Sequence, residues 1–110
     1  MKIRNGFVSN SSSSSYVLII PKRAYEEVYA ASDPYTQEII DYIHEDECLV
    51  LGQPCHILSW FSGNRNTFED WQPEAECPEA YGEDGIYLAR EIFETRVQAY
   101  EGTWLHYSDA

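Results

Sequence analysis

A chain of 110 residues with 44% apolar and 15% aromatic content is the size of one domain and holds enough core-forming material to exclude global disorder. Its 19 acids against 7 bases give a net charge of −12, unevenly placed: Lys2, Arg4, Lys22 and Arg23 come first without an acid among them, and every Asp and Glu follows. Phosphate backbones are held by cations, so direct nucleic-acid binding by this acidic body is not expected.

The longest apolar run, Tyr16–Ile20, is far short of the ~20 residues that span a bilayer, so no membrane segment is expected. Met1-Lys2-Ile3-Arg4 imitates the start of a signal peptide, but polar serines stand where its apolar region would be. The expected location is therefore the cytoplasm. Cys48, Cys55 and Cys77 have no framework spacing, and reduced thiols are the simplest expectation.

In chain order, residues 1–15 read as a polar, Ser-rich arm with five consecutive serines, Ser11–Ser15, leading into an acidic domain over residues 16–110. Tyr16-Val17-Leu18-Ile19-Ile20 is uncharged and β-branched or bulky, the pattern of an interior strand, with Val17 and Ile19 on one face and Leu18 and Ile20 on the other. Apolar residues on both faces call for helices on one side and further cover, such as a loop, on the other. The opening Lys2-Ile3-Arg4-Asn5-Gly6-Phe7-Val8-Ser9-Asn10 with the serine run and Tyr16 resembles the N-terminal signature of many small, mostly uncharacterised phage-encoded proteins, where Phe usually stands in place of Tyr16. The resemblance is confined to residues 2–16. It implies a phage or prophage origin and no particular activity.

Pro21 suits a helix start, and Lys22–Ala31 follows with Tyr25, Val28 and Tyr29 on one face. Ser32-Asp33-Pro34 caps a second helix, expected over Tyr35–Glu45, with apolar Tyr35, Ile39, Ile40 and Ile43 and with Tyr42 at its edge. Glu45, Asp46 and Glu47 would sit at the negative end of that helix dipole, so either they have another task or the helix ends earlier. Cys48–Leu51 and Cys55–Phe61 read as a hairpin around a Gly52-Gln53-Pro54 turn.

Residues 64–84 are irregular, broken by Pro73, Pro78 and Gly82, and loops this long in small domains are more often functional than filler. The period returns through Leu88, Ala89, Ile92, Phe93, Val97 and Tyr100, which reads as the most amphipathic helix of the chain. Gly102 ends it, and Thr103–Tyr107 closes the chain as a strand. The order β-α-α-β-β-loop-α-β fits an α+β domain: a small, mainly antiparallel sheet of about four strands with helices on one side, preceded by the arm.

No catalytic motif is present: there is no GxSxG, phosphate loop or HExxH, so no enzymatic activity is expected. His44, Cys48, Cys55, His56 and Cys77 are zinc-capable but lack a CxxC knuckle, and Cys55 and His56 point to opposite sides of a strand. The expectation is a set of reduced cysteines and surface histidines, with no metal and no cofactor.

The sharper signal is acidic. Glu69, Asp70, Glu74, Glu76, Glu79, Glu83 and Asp84 are interleaved with Trp71 and Tyr81, residue types that anchor protein interfaces, and Glu45, Asp46 and Glu47 make a second patch. Carboxylates spread over a surface imitate a phosphate array and steer towards basic partners. The leading expectation is a module, DNA-mimic-like and inhibitory, that binds a basic host protein engaged in nucleic-acid handling or defence. The alternative is a virion or assembly component whose arm packs on a neighbouring subunit, with Phe7 and Val8 filling its pocket.

Overall fold

The computed structural model describes residues 14–63 and 66–109. Phe7, Val8 and the arm reading as a whole lie outside these residues, apart from Ser14 and Ser15, which belong to the first strand. The elements run β1 (Ser14–Pro21), α1 (Lys22–Ala31), α2 (Pro34–Ile43), β2 (His44–Val50), β3 (Gln53–Ser62), a 3-10 turn at Glu79–Tyr81, α3 (Gly85–Gln98) and β4 (Trp104–Asp109). The four strands pair antiparallel in the order β2-β3-β1-β4, and the helices pack on one side of this open sheet. The fold is the expected α+β arrangement.

β1 is interior, between β3 and β4, and its alternation sorts its side chains by face. Leu18 and Ile20 are fully buried beneath the helices, opposite Leu58 and His56 of β3, whereas Val17 and Ile19 are half-buried on the other face. Beside Ile19 on that second face stands Trp104 of β4, more than half exposed and stacked on His106 at 5.5 Å. The irregular segment expected to cover this face goes to the helix side instead, where Phe68 is buried with Ile43, Leu58, Trp60 and Phe93. Phe68 is drawn there because a full aromatic side chain gains most from burial in the one continuous core.

α2 starts on a good cap and ends early. The Asp33 carboxylate accepts from Thr36 N–H at 2.9 Å, and Pro34 occupies the first turn, where its missing N–H goes unfelt. The helix stops at Ile43 rather than Glu45, and His44 is already extended. Glu45, Asp46 and Glu47 therefore belong to β2, an edge strand, where charge is tolerated because one side of the strand faces water. Between His44 and Asp46 the pairing with β3 shifts, so Glu45 is the residue of a β-bulge.

The hairpin turn is Leu51-Gly52, one position before the expected one. Leu51 has φ 51° and Gly52 φ 82°, the paired left-handed conformation of a tight two-residue turn. Gln53 and Pro54 already belong to β3. Pro54 faces only Leu49 of β2, because the pairing with β1 ends at Cys55, and its missing N–H costs nothing on the open side. α3 buries a single narrow stripe, Gly85, Ala89, Phe93 and Val97, with Leu88 and Ile92 half-buried, so it is less broadly amphipathic than its sequence suggests.

Candidate functional site

The segment between β3 and α3 has little regular structure, yet its backbone is fixed at several points. At its start the Thr67 hydroxyl accepts from Phe61 N–H at 2.7 Å and Thr67 N–H donates to the Phe61 carbonyl at 3.2 Å, a closed pair of bonds across the turn. Asn66 accepts from Phe68 N–H at 2.9 Å, and its amide donates to the Tyr87 hydroxyl of α3 at 2.6 Å. Phe68 then enters the core, and Trp71 lies flat on Tyr42 of α2, ring centroids 4.0 Å apart and planes within 4°. Further on, the Glu38 carboxylate of α2 accepts from two successive backbone N–H groups, Glu74 at 2.8 Å and Ala75 at 2.7 Å.

Tyr81 makes the last attachment, its hydroxyl donating to Asp33 at 2.6 Å. Partial burial pushes the Asp33 carboxyl up, but donors from Tyr81 and Thr36 outweigh it and hold the group below its ordinary value. The same bond pushes the Tyr81 hydroxyl up. One carboxylate thus caps α2 and ties down the far end of the loop.

Against this fixed backbone, Glu69, Asp70, Glu74, Glu76, Glu79, Glu83 and Asp84 are all exposed. The ion pairs among the described residues are Arg23–Glu27 and Arg90–Glu94, both within single helices, and neither involves a loop acid. Arg90 also covers the Trp60 ring at 4.8 Å, which commits that cation to the core side. Trp71 and Tyr81, expected as interface anchors, are half-buried and turned towards the domain, where they fix the loop. The acids and the aromatics divide the work.

Glu69, Asp70 and Trp71 line one side of a shallow cleft of about 500 Å³, closed by Tyr42, Phe61, Asn66 and Thr67. It offers aromatic faces and two carboxylates together, a lining suited to an alkylammonium or guanidinium group. Glu45 is not among the residues that line this cleft. Its carboxylate accepts from Ser59 at 2.9 Å, and Ser59 stands two residues from Phe61 on the same face of β3. Asp46 and Glu47 run away along the edge strand; Asp46 accepts from Glu47 N–H at 2.7 Å, and Glu47 stands opposite His56. The second acidic patch is thus divided, with Glu45 bound to Ser59 of β3 and the other two spread along the edge strand.

His44 and His56 meet on the helix side of the sheet, His44 Nε2 to His56 Nδ1 at 2.8 Å. The buried Tyr25 ring stacks on His56 at 4.0 Å. Burial lowers the His56 pKa, and the neighbouring His44 lowers it further against the opposing influence of Glu47. Cys48 and Cys55 pair on the opposite face, as strand alternation requires, and Cys77 lies near Tyr35 and Gly85. Among the described residues no group of three or more His, Cys, Asp or Glu side chains is placed to hold a metal ion.

Two residues that support the site, Glu38 and Tyr42, were not among those expected from the sequence. Glu38 is one of two acids on α2, with nothing local to mark it until the loop folds back on it. Tyr42 did carry a signal, an aromatic off the buried face of its helix, 45% exposed, which is a poor place for such a ring unless something stacks on it. Comparison with known proteins gives no match: no family model, no curated protein and no solved structure corresponds to this chain. Among the described residues no helix is long and apolar enough to cross a membrane.

Proposed function

We propose that this chain is a small phage-encoded protein without enzymatic activity that binds a basic host protein, a nucleic-acid-handling or defence factor, through its acidic loop and so occupies that partner's nucleic-acid site. The observation that carries the reading is the contrast within residues 66–84: seven exposed carboxylates, unpaired with any described cation, on a backbone pinned by Phe68, Trp71, Glu38 and Tyr81. A mobile acidic tail would lose conformational entropy on binding, whereas this surface is arranged beforehand. A Lys or Arg of the partner would enter the cleft, its charge between Glu69 and Asp70 and its stem or plane against Tyr42 and Trp71. The remaining acids would steer the encounter and meet further cations at the rim.

The experiment is a pull-down from host lysate at low and high salt, with the wild-type chain beside a Glu69→Lys/Asp70→Lys variant. The reading expects a partner retained at low salt, released at high salt and lost in the variant. A wild-type chain that retains nothing at low salt, or a partner indifferent to the reversal, overturns it.

A further inference from the structure

Cys48 of β2 and Cys55 of β3 stand directly opposite one another in the hairpin ladder. Their register is fixed by the Leu51-Gly52 turn, so the pairing does not depend on a mobile loop. Opposed residues of an antiparallel pair point to the same face, with Cα atoms ~4.5 or ~5.5 Å apart according to their place in the ladder. Either separation lies within the range of about 4.4–6.8 Å that a disulfide bridges. Both thiols are free. They differ in access: Cys48 is half-buried on the edge strand, while Cys55 is buried and donates its S–H to the Gln53 carbonyl at 3.6 Å. Burial also pushes the Cys55 thiol up, with the neighbouring Cys48 adding to the shift.

We propose that Cys48 and Cys55 form a modification site for small-molecule disulfides, at which the chain closes an intramolecular cross-strand disulfide. The Cys48 thiol, the accessible one, loses its proton to solvent and its thiolate attacks one sulfur of the incoming disulfide. That S–S bond breaks, one small thiolate leaves, and Cys48 carries a mixed disulfide. Cys55 then gives up its proton and attacks the Cys48 sulfur, expelling the second small thiolate. Two protein thiols are oxidised to one disulfide, and one small disulfide is reduced to two thiols. The fixed register makes the second step intramolecular, and the high pKa of Cys55 suits it to resolve an adduct rather than to start one. The product joins the edge strand to its neighbour close to the exposed Leu51 tip, Cys48 three residues before it and Cys55 four after it.

The reduced full-length chain is incubated with glutathione disulfide, trapped by alkylation, and read by intact mass and peptide mapping. The expected product is a single linkage between the Cys48 and Cys55 peptides, formed at a rate independent of protein concentration. Cys55→Ala should accumulate a stable glutathione adduct on Cys48, and Cys77→Ser, which leaves the pair intact, should form the same linkage as wild type. A persistent Cys48 adduct in the wild-type chain, disulfide-linked dimers in place of the internal bond, or a pair still fully alkylated under conditions that oxidise the unfolded chain would each overturn the proposal.

Discussion

The two acidic regions of this molecule look alike as strings and differ as structures. In β2, Glu45, Asp46 and Glu47 extend along an edge strand and each has a local neighbour: Ser59, the Glu47 backbone, and His56 across the ladder. In residues 66–84 the carboxylates reach outward while the backbone beneath them is held by groups from elsewhere in the fold. Charge on an edge strand protects the sheet from unwanted pairing, which needs no partner to explain it. Charge on a pinned irregular loop has no such role in the fold. The difference shows that local acid density says little about binding until the fate of the backbone under it is known.

The largest expected effect tests whether the loop is pinned from the core. Phe68→Ala removes a buried ring and should cost about 3–5 kcal/mol in urea unfolding, with the loop becoming sensitive to protease. A cost below about 1 kcal/mol would put the loop and the β2 acids on the same footing. Next is Glu38→Ala, which strands two backbone donors and should cost about 1–3 kcal/mol, with faster amide exchange confined to Glu74 and Ala75. Ser59→Ala, which strips Glu45 of its local donor on an exposed edge, should cost no more than ~0.5 kcal/mol.

Reversing charge separates the regions by binding rather than stability. Glu69→Lys/Asp70→Lys should weaken the basic partner at least tenfold, about 1.4 kcal/mol, and Asp46→Lys/Glu47→Lys by clearly less, read by titration calorimetry at low salt. Equal losses would mean that both acidic regions belong to one interface. The smallest expected effect is in pH. The folded His56 pKa lies below its ordinary value of about 6.5, so the unfolded chain takes up that proton more readily. Its contribution to stability is therefore complete above pH 6.5 and is lost as pH falls below it. Asp33, held below its ordinary 3.8, keeps its contribution until the medium is more acidic than that. Amide protection, taken relative to the intrinsic exchange rate at each pH, should accordingly fall in β2 and β3 before it falls at Tyr81 as the pH is lowered from 7 to 4. The reverse order would contradict the assignment of the two groups.

The element order was legible because each element carries its own period: the uncharged Tyr16–Ile20, the capped helix after Asp33-Pro34, the stripe ending at Val97. Boundaries failed where edge position changes the rules. The second helix read through to Glu45, although the acids Glu45–Glu47 suit its negative end poorly; they belong instead to an edge strand, which admits charge. Pro54 read as turn because proline breaks ladders, but it stands beyond the reach of β1, where no bond is missing. In the candidate site the acids were legible and their support was not. The bonds from Glu38 to Glu74 and Ala75 and the stacking of Tyr42 on Trp71 join residues far apart in sequence, and no local pattern encodes a contact that exists only after α2 and the loop have docked.

One feature of the topology bears on time rather than on binding. Of the sheet's two inner strands, β1 is the first described element, and its neighbours are β3 and β4, the latter more than eighty residues further along the chain. During synthesis the centre of the sheet therefore leaves the ribosome long before its second edge exists. Until Trp104–Asp109 emerges, β1 presents unpaired backbone on one side, and its strongly apolar Val17–Ile20 segment is open to any strand it meets. Closing so long a loop is slow, and folding should be governed by the arrival of the last strand rather than by the rapid helices between.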